Sequence, residues 1–69
     1  MPITLADKGQ EYTVQRISGK DEVRRHLENL GVVVGGLITI VADSPAGLII
    51  NAKGTRLALD FTMAKRIMV

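Results

Sequence analysis

His26 is the chain's one histidine, and Glu22 stands four residues before it. On a helix that spacing puts an imidazole and a carboxylate on one face, a turn apart, where both can reach one metal ion. A firmly held zinc wants three or four protein ligands. The chain has no cysteine and no second histidine to complete such a set. Glu22 and His26 are therefore weak metal candidates in a chain expected to hold no metal site and no cofactor, unless two copies pool their ligands. Met63 and Met68 offer soft sulfur, but in an apolar C-terminal segment they read as core fillers. Gly54-Thr55-Arg56 lacks the second glycine and the lysine of a phosphate-binding loop, and Gly35-Gly36 precedes a strand rather than a helix. Ser18 and Ser44 lie in no strand–turn–helix elbow and in no motif that pairs either with His26. Nothing in the spacing of Asp43 and Asp60 marks them as an acid–base pair. No catalytic set is complete, so the chain is read as not an enzyme.

The elements that position these residues follow from patterning. Leu5 is the apolar anchor of the opening segment, and Asp7-Lys8-Gly9 signals a turn. Glu11 to Ile17 alternates as a strand through Tyr12 and Val14. Ile17 breaks that parity, and a bulge near Arg16 would restore it to the buried face. A short helix is predicted over about 21–30. Asp21 is its expected N-cap, Glu22 complements the helix dipole, and Arg24 and Glu28 form an i, i+4 pair. Val23, Leu27 and Leu30 make its apolar stripe. Gly31 stands where a left-handed C-cap belongs, with Val32 and Leu27 as the apolar contact of a Schellman motif. Such a short helix exists only by docking its stripe.

Beyond the Gly35-Gly36 elbow, Leu37 to Ala42 reads as a strand with Ile38 and Ile40 on one face and Leu37, Thr39 and Val41 on the other. Asp43 to Gly47 is a turn. Leu48 to Lys53 and Thr55 to Asp60 form a hairpin around Gly54. Phe61 to Lys65 makes one helical turn capped by Thr62. Ile67 to Val69 is extended and pairs with the first strand. The result is a mainly β fold: a small barrel of about five strands, with one helix between the first two main strands crossing an open end.

Composition narrows the classes. Sixty-nine residues make one domain, 1–69, with a marginal core that must be aliphatic, since 46% of residues are hydrophobic and only 3% aromatic. Lack of cysteine excludes disulfides and thiol chemistry and suits a reducing cytoplasm. The N-terminus lacks a signal-peptide pattern. The thirteen-residue uncharged run Leu30 to Ala42 is shorter than the ~20 residues of a spanning helix and is broken by glycines, so no membrane insertion is expected. A net charge of +2 is a weak pull toward nucleic acid. Nucleic-acid barrels add stacking aromatics, and only Tyr12 and Phe61 are present. The basic residues form two groups: Lys20, Arg24 and Arg25 at the helix start, and Lys65 and Arg66 near the C-terminus. With Glu28, the residues Arg24, Arg25, Lys65 and Arg66 are read as the rim of a protein-binding surface.

Taken together, these segments resemble the FeoA family, small cytoplasmic partners of the ferrous iron transporter FeoB. The resemblance runs from Asp21-Glu22-Val23-Arg24-Arg25 through Leu27-Glu28-Asn29-Leu30-Gly31 to Val34-Gly35. It continues in Ile38, Ile40 and Pro45-Ala46-Gly47. Gly54-Thr55-Arg56-Leu57-Ala58-Leu59 is its most specific piece, and Ala64, Ile67 and Val69 close it. Val34 stands where the family usually has proline, and Asp60 where it has a basic or small residue. The resemblance implies an SH3-like barrel, a non-enzymatic accessory role in bacterial ferrous iron uptake, and the cytoplasmic part of FeoB as partner. The alternatives are a small nucleic-acid-binding barrel and a stand-alone repressor-type SH3-like domain that senses metal.

Overall fold

The computed structural model describes residues 1–69. A 3-10 turn, Ile3–Leu5, precedes β1 (Glu11–Thr13), β2 (Arg16–Ile17), α1 (Asp21–Asn29), β3 (Leu37–Ser44), β4 (Gly47–Ala52), β5 (Thr55–Asp60), α2 (Phe61–Ala64) and β6 (Ile67–Met68). The strands form a four-stranded antiparallel sheet ordered β1-β3-β4-β5 and a two-stranded sheet, β2-β6. The fold is mainly β, with six strands rather than about five. The extra strand comes from the first segment, which divides between the sheets. Tyr12 pairs with Ile38, and the Val14 N–H donates to Gly36 O at 2.9 Å. One residue later the Gln15 N–H donates to Met68 O at 2.8 Å, and the chain has changed sheets. Val14 and Ile17 are both buried, so the parity break is this crossing and not a bulge near Arg16.

The alternating strands supply the core. Ile38 and Ile40 of β3, Leu48, Ile50 and Ala52 of β4, and Leu59 of β5 pack with Val14, Ile17, Val32 and Ile67. Val41 is an extra residue in β3: Ile40 pairs with Ile50, then Ala42 with Ile49. Such a bulge bends and twists its strand, as closing a small barrel requires. No polar or charged side chain is buried. The N-terminal anchor is Ile3, fully buried, and not Leu5, which is 72% exposed because the 3-10 turn carries it outward.

β3 and β4 run to Ser44 and from Gly47, leaving Pro45-Ala46 as the turn, with the Gly47 N–H donating to Ser44 Oγ at 3.2 Å. Lys53 (φ 54°) and Gly54 (φ 76°) turn β4 into β5, the two positive φ values of a type I′ hairpin.

The helix ends as expected and begins otherwise. Gly31 takes φ 103°, its N–H donates to Glu28 O, and the Val32 N–H donates to Leu27 O at 2.9 Å. Leu27 and Val32 are both fully buried, completing the Schellman motif. At the other end the cap is Lys20, whose carbonyl accepts from Val23 and Arg24, and no side chain caps it. Asp21 is already helical, so its carboxylate turns toward Arg24, 4.0 Å away, and the expected Arg24–Glu28 pair does not form. Of the expected stripe only Leu27 is fully buried; Val23 and Leu30 are half-buried. The last turn differs in the same way. Asp60, extended at the end of β5, accepts from the Met63 N–H at 2.8 Å, while Thr62 is inside the helix and caps nothing. β6 pairs with β2, and Pro2 bridges to Met68 on its other side.

Candidate functional site

The geometry disposes of most of the reactive-looking residues. Glu22 and His26 lie one turn apart on α1, both exposed, and nowhere do three or more His, Cys, Asp or Glu side chains gather as a metal set. Met63 packs against the core, and Met68 is half-buried in β6. The Ser18 hydroxyl donates to Arg66 O and the Ser44 hydroxyl to Gly47 O, so both are tied to backbone. Asp43 meets Lys8 at 3.4 Å on the surface, whereas Asp60 is committed to capping α2. The two carboxylates share no task.

The residues read as a binding rim stand on the surface. Arg24, Arg25 and Glu28 are exposed on α1, and Lys65 is exposed after α2. Arg66 is half-buried, and the structure brings it to the helix. Its carbonyl accepts from the Ser18 N–H at 2.8 Å, and its side chain lies over Gly19, where a Cβ would sit 3.5 Å from Arg66 Cδ. Arg66 therefore borders the loop that leads through Lys20 into α1. Lys65 forms no salt bridge.

A groove escaped the reading of the sequence. It encloses about 420 Å³ on the outer face of the larger sheet, lined by Glu11, Leu37, Thr39, Asn51 and Lys53. Pairing sets Glu11, Thr39, Asn51 and Arg56 in one row across four strands. Leu37 is 51% exposed at the groove's margin, and Val34, in the elbow before it, is 58% exposed. The signal was present in the alternation, which assigns Leu37 to the polar face of β3. A single exposed leucine is ordinary on a protein surface, so Leu37 draws its interest from the groove it lines.

No helix is long and apolar enough to cross a membrane. The family model described as the FeoA domain matches residues 1–69. Over 68 residues the chain is 26% identical to a Methanocaldococcus jannaschii protein named as Fe(2+) transport protein A, covering 99% of this chain and 83% of the relative. A crystal structure of the iron uptake regulatory protein FeoA superposes with a TM-score of 0.91 at 30% identity, covering 100% of this chain and 93% of that one. A crystal structure of Stenotrophomonas maltophilia FeoA complexed with zinc superposes with a TM-score of 0.84 at 28% identity, covering 100% of this chain and 88% of that one. That protein is described as a prokaryotic SH3 domain protein and suggested to be a ferrous iron transport activating factor. The SH3-like expectation for the fold agrees with these neighbours.

Proposed function

Because the chain belongs to the FeoA family, we propose that it is a non-enzymatic accessory protein of ferrous iron uptake, acting by direct contact with the cytoplasmic part of a FeoB-type transporter. Residues 1–69 act in this reading as one domain, in the cytoplasm. The observation that carries the proposal is the match of the family model to the whole chain. The surface agrees with it. Every serine or carboxylate that might start a catalytic set is tied to backbone, paired on the surface or left alone. What remains is a charged rim, Arg24, Arg25, Glu28, Lys65 and Arg66, and a groove edged by Leu37. Charged side chains and an exposed aliphatic residue beside a groove are both features that protein interfaces use. Iron is the cargo of the transporter in this account and not a resident of this chain. Calorimetry of the purified chain with the cytoplasmic GTP-binding part of such a transporter tests the proposal. Saturable binding in at least one nucleotide state is expected; no heat in either state overturns it.

The zinc-bound relative favours a second reading, direct metal contact. In this chain it would fall on Glu22 and His26, two ligands where a held ion wants three or four. Titration with Fe²⁺ or Zn²⁺ decides between the two. Micromolar metal that shifts the amide resonances around Glu22 and His26 would establish the direct-contact reading.

A further inference from the structure

β5 is an open edge of the larger sheet. Ala52 and Thr55 flank the two-residue turn and so form a hydrogen-bonded pair, and alternation gives the same state to Ile50 with Leu57 and Leu48 with Leu59. The N–H and C=O groups of Arg56 and Ala58, and the N–H of Asp60, therefore point away from β4. No turn, loop or side-chain hydrogen bond of the chain takes them. Edges are usually blunted by proline, lysine, a bulge or an inward charge, and β5 has none of these. The other strand edges are short: β1 has three residues and β2 two, while β6 is flanked by β2 and Pro2.

We infer that β5 pairs antiparallel with β5 of a second copy of this chain, about a two-fold axis through Ala58. The strand is self-complementary in that register. Ala58 faces Ala58 of the second copy and Arg56 faces its Asp60, so each dimer gains two opposite-charge pairs on the solvent face. Backbone parity agrees, because Ala58, Arg56 and Asp60 are the residues whose free groups point outward. Two bonds link the Ala58 groups, and each Asp60 N–H donates to an Arg56 carbonyl. Asp60 Oδ1 is used by Met63, which leaves Oδ2 for the guanidinium. Ala58 presents no bulk at the axis. Beside it a shallow, mostly apolar groove of about 200 Å³, lined by Ile49, Ala58 and Asp60 among others, receives the aliphatic stem of the second copy's Arg56. An interface of this kind is isologous and closed, so association stops at two chains.

The test places a charge on the axis, where only a symmetric dimer brings a residue against itself. Ala58→Lys and Ala58→Glu lie at an exposed position and leave the capping of α2 intact. Sedimentation equilibrium of the wild-type chain should show a monomer–dimer equilibrium between micromolar and millimolar concentration. Each variant alone should dimerise about tenfold more weakly or worse, and their equimolar mixture should regain the dimer. Arg56→Glu should weaken association likewise. In a sample mixing isotope-labelled and unlabelled wild-type chains, the Leu57 Hα should show a contact to the Leu59 Hα of the other copy. A wild-type chain that stays monomeric at millimolar concentration overturns the inference. So does a dimer indifferent to both Ala58 substitutions, or a mixture that fails to restore it.

Discussion

Gly47 and Leu27 are the two residues on which the packing is least forgiving. Gly47 is buried at the start of β4, and the backbone of Leu59 and Asp60 occupies the space a Cβ would need. Backbone cannot swing aside as a side chain can. Gly47→Ala should destabilise the chain by about 2–3 kcal/mol in urea unfolding, with the midpoint shifted and the slope unchanged. Leu27 is the one fully buried side chain of α1, whereas Leu30 is half-buried. Leu27→Ala should cost about 3 kcal/mol and Leu30→Ala about 1 kcal/mol in the same assay. Equal losses would mean that the helix is docked by its whole stripe. The sequence shows the stripe, but periodicity cannot say which member reaches the core. The helix axis is set by the strands beneath it, and those are distant in the chain.

At the scale of elements, local chemistry was legible and its phase was not. The Schellman stop of α1 could be read from Leu27, Gly31 and Val32, because all its groups lie within six residues of one another. Both caps were displaced: Lys20 in place of Asp21, and Asp60 in place of Thr62. A side chain caps only from the extended residue just before a helix, and a phase of one residue at α1 or two at α2 decides between cap and first turn. Asp60→Ala should therefore cost about 1 kcal/mol in thermal or urea unfolding, and Thr62→Ala close to nothing. Lys20→Asp should gain stability of about 1 kcal/mol, by giving α1 the cap it lacks. A neutral or destabilising result there would show that the loop, pinned by Ser18 and Arg66, cannot present a side chain to the first turn. The sheet crossing at Val14 to Ile17 left a trace in the sequence, the broken parity. Its cause is a pairing with β6 some fifty residues away, which no local pattern contains.

The whole molecule is a bent aliphatic barrel with its charges outside. The mainly β architecture and the helix between the first and later strands were readable from turn spacing and alternation. The outer-sheet groove was not, because it is assembled from Glu11, Leu37, Thr39, Asn51 and Lys53, on three strands and the turn after β4. In the sequence Arg66 belongs to a basic group far from the helix start, and only the fold lays it over Gly19. In the function proposed above, the helix face, Lys65, Arg66 and the groove receive the cytoplasmic part of a FeoB-type transporter. The most direct test of that contact is an amide chemical-shift map of the labelled chain titrated with that part of the transporter. Shifts should concentrate on Arg24, Arg25 and Glu28 of α1, on Lys65 and Arg66, and along the groove from Glu11 to Lys53. A spectrum that does not change at saturating transporter, or one whose changes avoid these residues, would contradict it.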